Sequence, residues 1–276
     1  MIDKGQLLSR HDFSKINWGI LAVAAALLSI GGTLLLLSLL SGMEESRVLA
    51  LLQIGAATIS LGGIMLVTRH FLRPTLTYRL YEHGVRVSHN RNHKERFIAF
   101  EKIADIYRFR YLPILGSFGG IVAFRSEADQ RWFTVFSNIA QAKMLRDTLL
   151  NQHIRLRGAQ ALNAMYQGNA VDFRYLNGKM QWVSLLLRGN LHQARSQTLR
   201  LSAKSLCTPQ REIAIAQIHS LENDSQKGRI LLLDNQGQVL ATLCYFSLLS
   251  ADLFIALLEH MIASRIPAYH NPAMTK

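Results

Sequence analysis

Between His83 and Arg96 the chain concentrates cations. Arg86, Arg91, Lys94 and Arg96 stand with His83, His89 and His93, against only Glu82 and Glu95. Guanidinium and ammonium groups bind phosphate oxygens through charge-assisted hydrogen bonds, so a run of this kind offers donors to an anion. The bias is regional: from Arg69 to Arg110 there are ten Lys or Arg against four Asp or Glu. Arg86, Arg91, Lys94 and Arg96 are therefore the candidate contacts to anionic lipid, and the competing reading is a solvated positive face. His89 and His93 are four apart, the spacing of two metal ligands on a helix face. Here they span a strand end and a turn, with no third ligand nearby in sequence, so no metal site is expected.

Other chemistries lack their residues. No glycine-rich phosphate loop leads from a strand into a helix. No nucleophile elbow, His-Glu-x-x-His run or paired-carboxylate motif is present. Cys207 and Cys244 have neither disulfide-framework nor metal-ligand spacing. The reading is a non-enzymatic protein with no cofactor. Net charge is +13, which suits a polyanion. The bases are not interleaved with aromatics in a stacking pattern, so no nucleic acid is expected.

The elements that position these cations begin in a membrane. Ile20 to Leu40 and Val48 to Thr68 are uncharged runs of 21 residues each, and about 20 apolar residues span the hydrocarbon. They predict a transmembrane hairpin over 17–68, with helices 17–41 and 48–68. The flanks carry Lys4, Arg10 and Lys15 on one side and Arg69, Arg73 and Arg79 on the other, whereas the loop holds Glu44, Glu45 and Arg47. The positive-inside rule puts both termini in the cytoplasm, with Trp18 as an interfacial anchor. Small residues recur at helical spacing: Ala25, Ser29, Gly32 and Thr33 in the first helix, Ala56, Ser60 and Gly63 in the second. They form a candidate packing seam, either within the hairpin or toward another membrane partner.

The soluble part reads as two units of the same order, several short strands followed by an amphipathic helix. Tyr81-Glu82-His83-Gly84-Val85 opens the first, with Phe97-Ile98-Ala99-Phe100-Glu101-Lys102-Ile103 downstream. Ile213-Ala214-Ile215-Ala216-Gln217-Ile218 is the matching element of the second. This plan resembles the pleckstrin-homology-like fold. With Gln167 to Phe173 between the units, the chain resembles a bacterial membrane-anchored family with tandem domains of that kind. The resemblance covers roughly residues 75–265 and implies binding and scaffolding.

The expected fold class is a membrane α-hairpin plus a soluble part of α+β or all-β type, two bent β-sandwiches each capped by a C-terminal helix. The expected organisation is a cytoplasmic tail (1–16), the hairpin (17–68), a first domain (75–152) and a connector (153–195). A second domain (196–266, its start lying as early as 170) and a tail (267–276) follow. Leu248 to Ile262 is apolar around most of its circumference, which predicts that its outer face is covered by the other domain, a second copy or a partner. The expected function is a scaffold at the cytoplasmic face of a bacterial inner membrane, binding a protein partner or itself. The alternative is a sensor of anionic phospholipid through the basic hairpin.

Overall fold

The computed structural model describes residues 4–12, 18–40, 45–71, 76–89, 95–109, 121–126, 131–136, 139–176, 196–224 and 227–264. Two helices come first, α1 (Trp18–Leu40) and α2 (Glu45–Phe71). Within them Leu21–Leu40 and Glu45–Val67, of 20 and 23 residues, are long and apolar enough to cross a membrane. At 1.5 Å per residue these stretches measure about 30–35 Å. A core helix of a soluble protein hides its apolar side chains. Only 17% and 11% of these two stretches is buried, and Leu39 is 79% exposed.

Strand β1 (Leu7–His11) precedes the helices, yet it pairs antiparallel with β2 (Leu76–Tyr81), which follows them. The two-helix hairpin is therefore inserted between neighbouring strands of one sheet. His11 lies opposite Tyr78, so the chain leaves for α1 and returns from α2 at the same end of that sheet. The sequence reading makes 1–16 a tail; the structure makes Leu7–His11 a strand. A five-residue strand whose partner lies beyond two long helices leaves no local pattern. Its far end is held by His11, which is buried. His11 Nδ1 is 3.0 Å from the Ala140 carbonyl, and Nε2 is 2.7 Å from Ser9 Oγ. The Ala140 N–H donates to the Asp12 carbonyl at 2.8 Å.

Strands β3 (Gly84–His89) and β4 (Glu95–Ala99) complete a four-stranded sheet in the order β1-β2-β3-β4. After a 3-10 turn at Phe100–Lys102, β5 (Asp105–Phe109), β6 (Ile121–Arg125) and β7 (Phe133–Val135) form a three-stranded sheet. All five residues of β6 are buried, because the sheet is covered on both faces. One face packs on the first core and the other on Leu176 and Leu249.

Helix α3 (Ala142–Tyr166) follows. Its first half sends Leu145 and Leu149 into a core with Tyr78 and Phe124, and its second half sends Ala161 and Met165 into a core with Phe173 and Phe254. The sequence reading ends the first domain at 152 and makes 153–195 a connector. Instead one unbroken helix of 25 residues, about 37 Å long, belongs to both cores. Gly158, which would weaken an isolated helix, is buried within it with Leu253 beside it.

The second lobe repeats the first. Strands β8 (Val171–Leu176), β9 (Ser196–Leu201), β10 (Ser205–Cys207) and β11 (Glu212–Ala214) make a four-stranded antiparallel sheet. A 3-10 turn at Ile215–Gln217 leads to β12 (Ser220–Asp224), β13 (Arg229–Leu233) and β14 (Val239–Cys244), then to α4 (Ala251–Ser264). Each lobe thus has four strands, a 3-10 turn, three strands and a helix. The repeat reaches single residues. Ala99 and Ala214 precede the turns with φ of −66° and −67°, and buried Ile103 and Ile218 follow them. The apolar excess of the last helix is accounted for within the chain. Leu253, Phe254, Ile255, Leu257 and Leu258 are all buried, in a core that takes in Ala161 and Met165 of α3.

Candidate functional site

The first surface is the outer face of the β1–β4 sheet. Side chains alternate between the faces of a strand, and Tyr78, Leu80, Val85, Val87 and Ile98 take the buried one. The intervening positions face outward, and register lines three of them up: Arg10 lies opposite Arg79, Arg79 opposite Arg86, and Arg86 opposite Phe97. Side chains directly opposite on neighbouring strands have Cβ atoms about 4.5–5.5 Å apart, and like charges there are destabilising. Glu95 offsets part of that repulsion, at 3.0 Å from Arg86 and 3.9 Å from Arg79. The Ser88 hydroxyl donates to Glu95 at 3.1 Å. Aromatic rings floor the cluster. Tyr81 and Phe97 meet edge to face at 6.0 Å, the Arg86 guanidinium lies 5.4 Å from the Tyr81 ring centre, and the Lys4 ammonium 5.9 Å from that of Phe97.

This arrangement divides the four candidate lipid contacts. Arg86 belongs to the cluster. Arg96 lies opposite Val87, on the other face of the sheet, so Arg86 and Arg96 do not converge. Arg91 and Lys94 lie outside the described residues, as does His93. Sequence reasoning missed Arg10 and Arg79 as partners of Arg86. The only available signal was the outward position of each in its own strand, and Arg10 sits in a strand that local pattern did not disclose.

The second surface is a half-open groove of about 1370 Å³ in the second lobe. Its walls are the 3-10 turn with Ile215 and Gln217, and the end of α4 with Met261 and Ile262. Lys204, Arg211 and His219 stand at its margin. In the first lobe, Phe100 of the matching turn is buried in the core with Leu145 and Leu149. In the second lobe no residue of the turn is buried. Ile215 stands where the larger Phe100 stands in the first lobe, and Met261 and Ile262 of α4 line the gap.

The third region joins the lobes. The Ile106 N–H donates to Ser250 Oγ at 3.1 Å, and the Ser250 N–H donates back to the Ile106 carbonyl at 2.6 Å. Arg108 donates to Asp252 at 2.9 Å, as does the Tyr245 hydroxyl. His153 Nε2 is 3.2 Å from Ser250 Oγ, whereas its buried Nδ1 has no hydrogen-bond partner. Burial first, then the nearby Arg157 charge, push the His153 pKa down to about 4, against an opposing pull from Asp105. Burial also lowers that of His11, offset in part by the Ala140 carbonyl and Asp12. A serine beside a histidine has the reach of a nucleophile and base. Here the serine is 6% exposed and its oxygen already takes an amide proton, so the pair ties two lobes together.

In the hairpin, the expected seam lies one step around each helix from the observed one. The helices meet through buried Ala24, Gly31 and Ser38 on α1 and buried Gly55 and Gly62 on α2. A Cβ on Gly31 would stand 2.7 Å from Ile59 and 2.9 Å from the Gly55 carbonyl; one on Gly62 would stand 3.2 Å from the Ala24 carbonyl. Ala25, Ser29, Gly32, Thr33, Ala56 and Ser60 are exposed, and a Cβ on Gly32 or Gly63 would meet nothing within 4 Å. Both registers satisfy a small-residue spacing, and only the backbone approach distinguishes them. Trp18 has no described side chain. Among the described residues no three His, Cys, Asp or Glu side chains gather as metal ligands would.

No family model, curated protein or solved structure matches this chain. Its class is therefore stated from its own architecture: two apolar helices of membrane-crossing length inserted in the first of two lobes, each of four strands, three strands and a helix.

Proposed function

We propose that this chain is a membrane-anchored, non-enzymatic binding protein whose two lobes are pleckstrin-homology-like domains. One observation carries the reading: the apolar hairpin is inserted between β1 and β2 of the same sheet. Such an insertion ties the folded body to the bilayer at two points and keeps both flanks of the hairpin on one side. The charge of those flanks, with Lys4, Arg10, Lys15, Arg69 and Arg73 against the single base Arg47 beside Glu44 and Glu45 between the helices, favours the cytoplasmic side of a bacterial inner membrane. The body so held offers the groove beside Ile215 and Met261. Its lining mixes apolar side chains (Ile215, Leu240, Met261, Ile262) with polar ones, and Lys204, Arg211 and His219 outnumber Asp234, which suits a protein partner whose docking segment carries apolar and acidic side chains.

The test is site-specific photo-crosslinking in native membranes. A crosslinking residue at Gln217, in the groove, should yield one discrete heavier species that weakens when Lys204 and Arg211 are changed to Glu. The same residue at Glu222, exposed but outside the groove, should not. Identical products from both positions, or none from Gln217, would remove the protein-partner reading.

A further inference from the structure

We infer that Arg10, Arg79 and Arg86 form a phosphate-binding rung, and that its ligand is the headgroup of anionic phospholipid in the bilayer that anchors the chain. The three side chains are consecutive partners across β1, β2 and β3 on the exposed face. Stacking like charges at strand spacing is unfavourable in the free protein, and among the described residues one carboxylate, Glu95, pairs with two of them. A phosphate seated between neighbouring guanidiniums would relieve this repulsion, each fork offering several donors in one plane. Ser88 and Arg86 hold Glu95 in place, so the carboxylate orients the rung without filling it.

Covalent reach selects the source of the phosphate. Five Cα steps separate the last residue of α2, Phe71, from Leu76 of β2, at most roughly 18 Å of extended chain. Arg79 is three residues further, about 10 Å along the strand. Because β1 runs antiparallel to β2, Arg10 lies at the same height above the end where both helices join the sheet. Arg86 shares that height through its pairing with Arg79. All three cations are thus tethered no further than roughly 28 Å from the end of α2, whatever the occupant of the groove. Arg96, on the opposite face, does not belong to the rung.

The inference rests on the hairpin's spanning a membrane. The experiment is therefore run without a bilayer, so that it fails independently of the anchoring. Full-length protein in neutral detergent micelles is titrated with dioctanoyl phosphatidylglycerol, dioctanoyl phosphatidylcholine or inorganic phosphate, and binding is read from phosphorus-31 line broadening. Phosphatidylglycerol should bind, and the triple variant Arg10→Gln, Arg79→Gln, Arg86→Gln should weaken it at least tenfold. Arg96→Gln should change it less than twofold. The lipid-free triple variant should melt at the same temperature or higher, since repulsion has been removed. Equal loss in Arg96→Gln, no loss in the triple variant, or a lower melting temperature of the lipid-free triple variant would overturn the rung. Equal binding of phosphatidylcholine, or competition by inorganic phosphate at equal concentration, would overturn the lipid assignment.

Discussion

Ile106 and Ser250 exchange hydrogen bonds across the two lobes: the Ser250 N–H reaches the Ile106 carbonyl at 2.6 Å, and the Ile106 N–H reaches the Ser250 hydroxyl at 3.1 Å. Both residues are buried, and Ser250 adopts a positive φ of 53° to make the exchange. Ser250→Ala leaves the Ile106 N–H without its acceptor. Loss of a buried partner costs about 1–3 kcal/mol. Denaturant unfolding of the full-length protein in micelles should show that loss, and an unchanged midpoint would mean that the hydroxyl does not hold the joint.

Acid should weaken the folded state through His153. Its folded pKa is about 4 against 6.5 for the free side chain. The unfolded chain therefore binds the proton more readily, and stability rises with pH across the interval between the two values. The contribution is complete above pH 6.5 and is lost as pH falls toward 4, amounting to about 3 kcal/mol if this group acts alone. His11, also lowered by burial, adds to the same trend. Melting temperatures measured from pH 7 to pH 4 should fall, and His153→Gln should flatten the curve. A variant curve as steep as the original would assign the acid sensitivity elsewhere.

The β1–β2 pairing brings the two strands that flank the hairpin together. With Cys207 and Cys244 changed to Ser, a cysteine at Gln6 and one at Ser46 should label oppositely with an impermeant maleimide in sealed membrane vesicles that carry the protein. Gln6 should react in inside-out vesicles and Ser46 in right-side-out ones. Equal labelling of the two positions would remove the membrane-spanning hairpin.

Gly31→Leu should damage the hairpin where Gly32→Leu does not. A side chain at Gly31 runs into Ile59 and the Gly55 backbone, whereas one at Gly32 meets open space. Overpacking of this kind costs about 1–3 kcal/mol. Thermal melts in micelles should fall for the first variant and hold for the second. The reverse order would restore the seam through Gly32, Thr33 and Gly63.

The two apolar helices and the later strands of the second lobe are visible in the sequence because their signals are local, whereas β8 (Val171–Leu176) falls in the stretch read as a connector. Each span is an uninterrupted apolar run, and Ile213 to Ile218 repeats the apolar spacing of Ile98 to Ile103. The cations between Arg86 and Arg96 were equally plain as a run. What tertiary structure alone decided is which of them stand side by side. Strand alternation sends Arg86 and Arg96 to opposite faces, the β2–β3 pairing sets Arg79 beside Arg86, and the β1 register brings Arg10 to Arg79 across the two inserted helices. The same holds for α3. Its apolar positions show that it is amphipathic, but two separate cores share it. Periodicity reports which face of an element is apolar; which chain-distant surface that face meets depends on packing between elements.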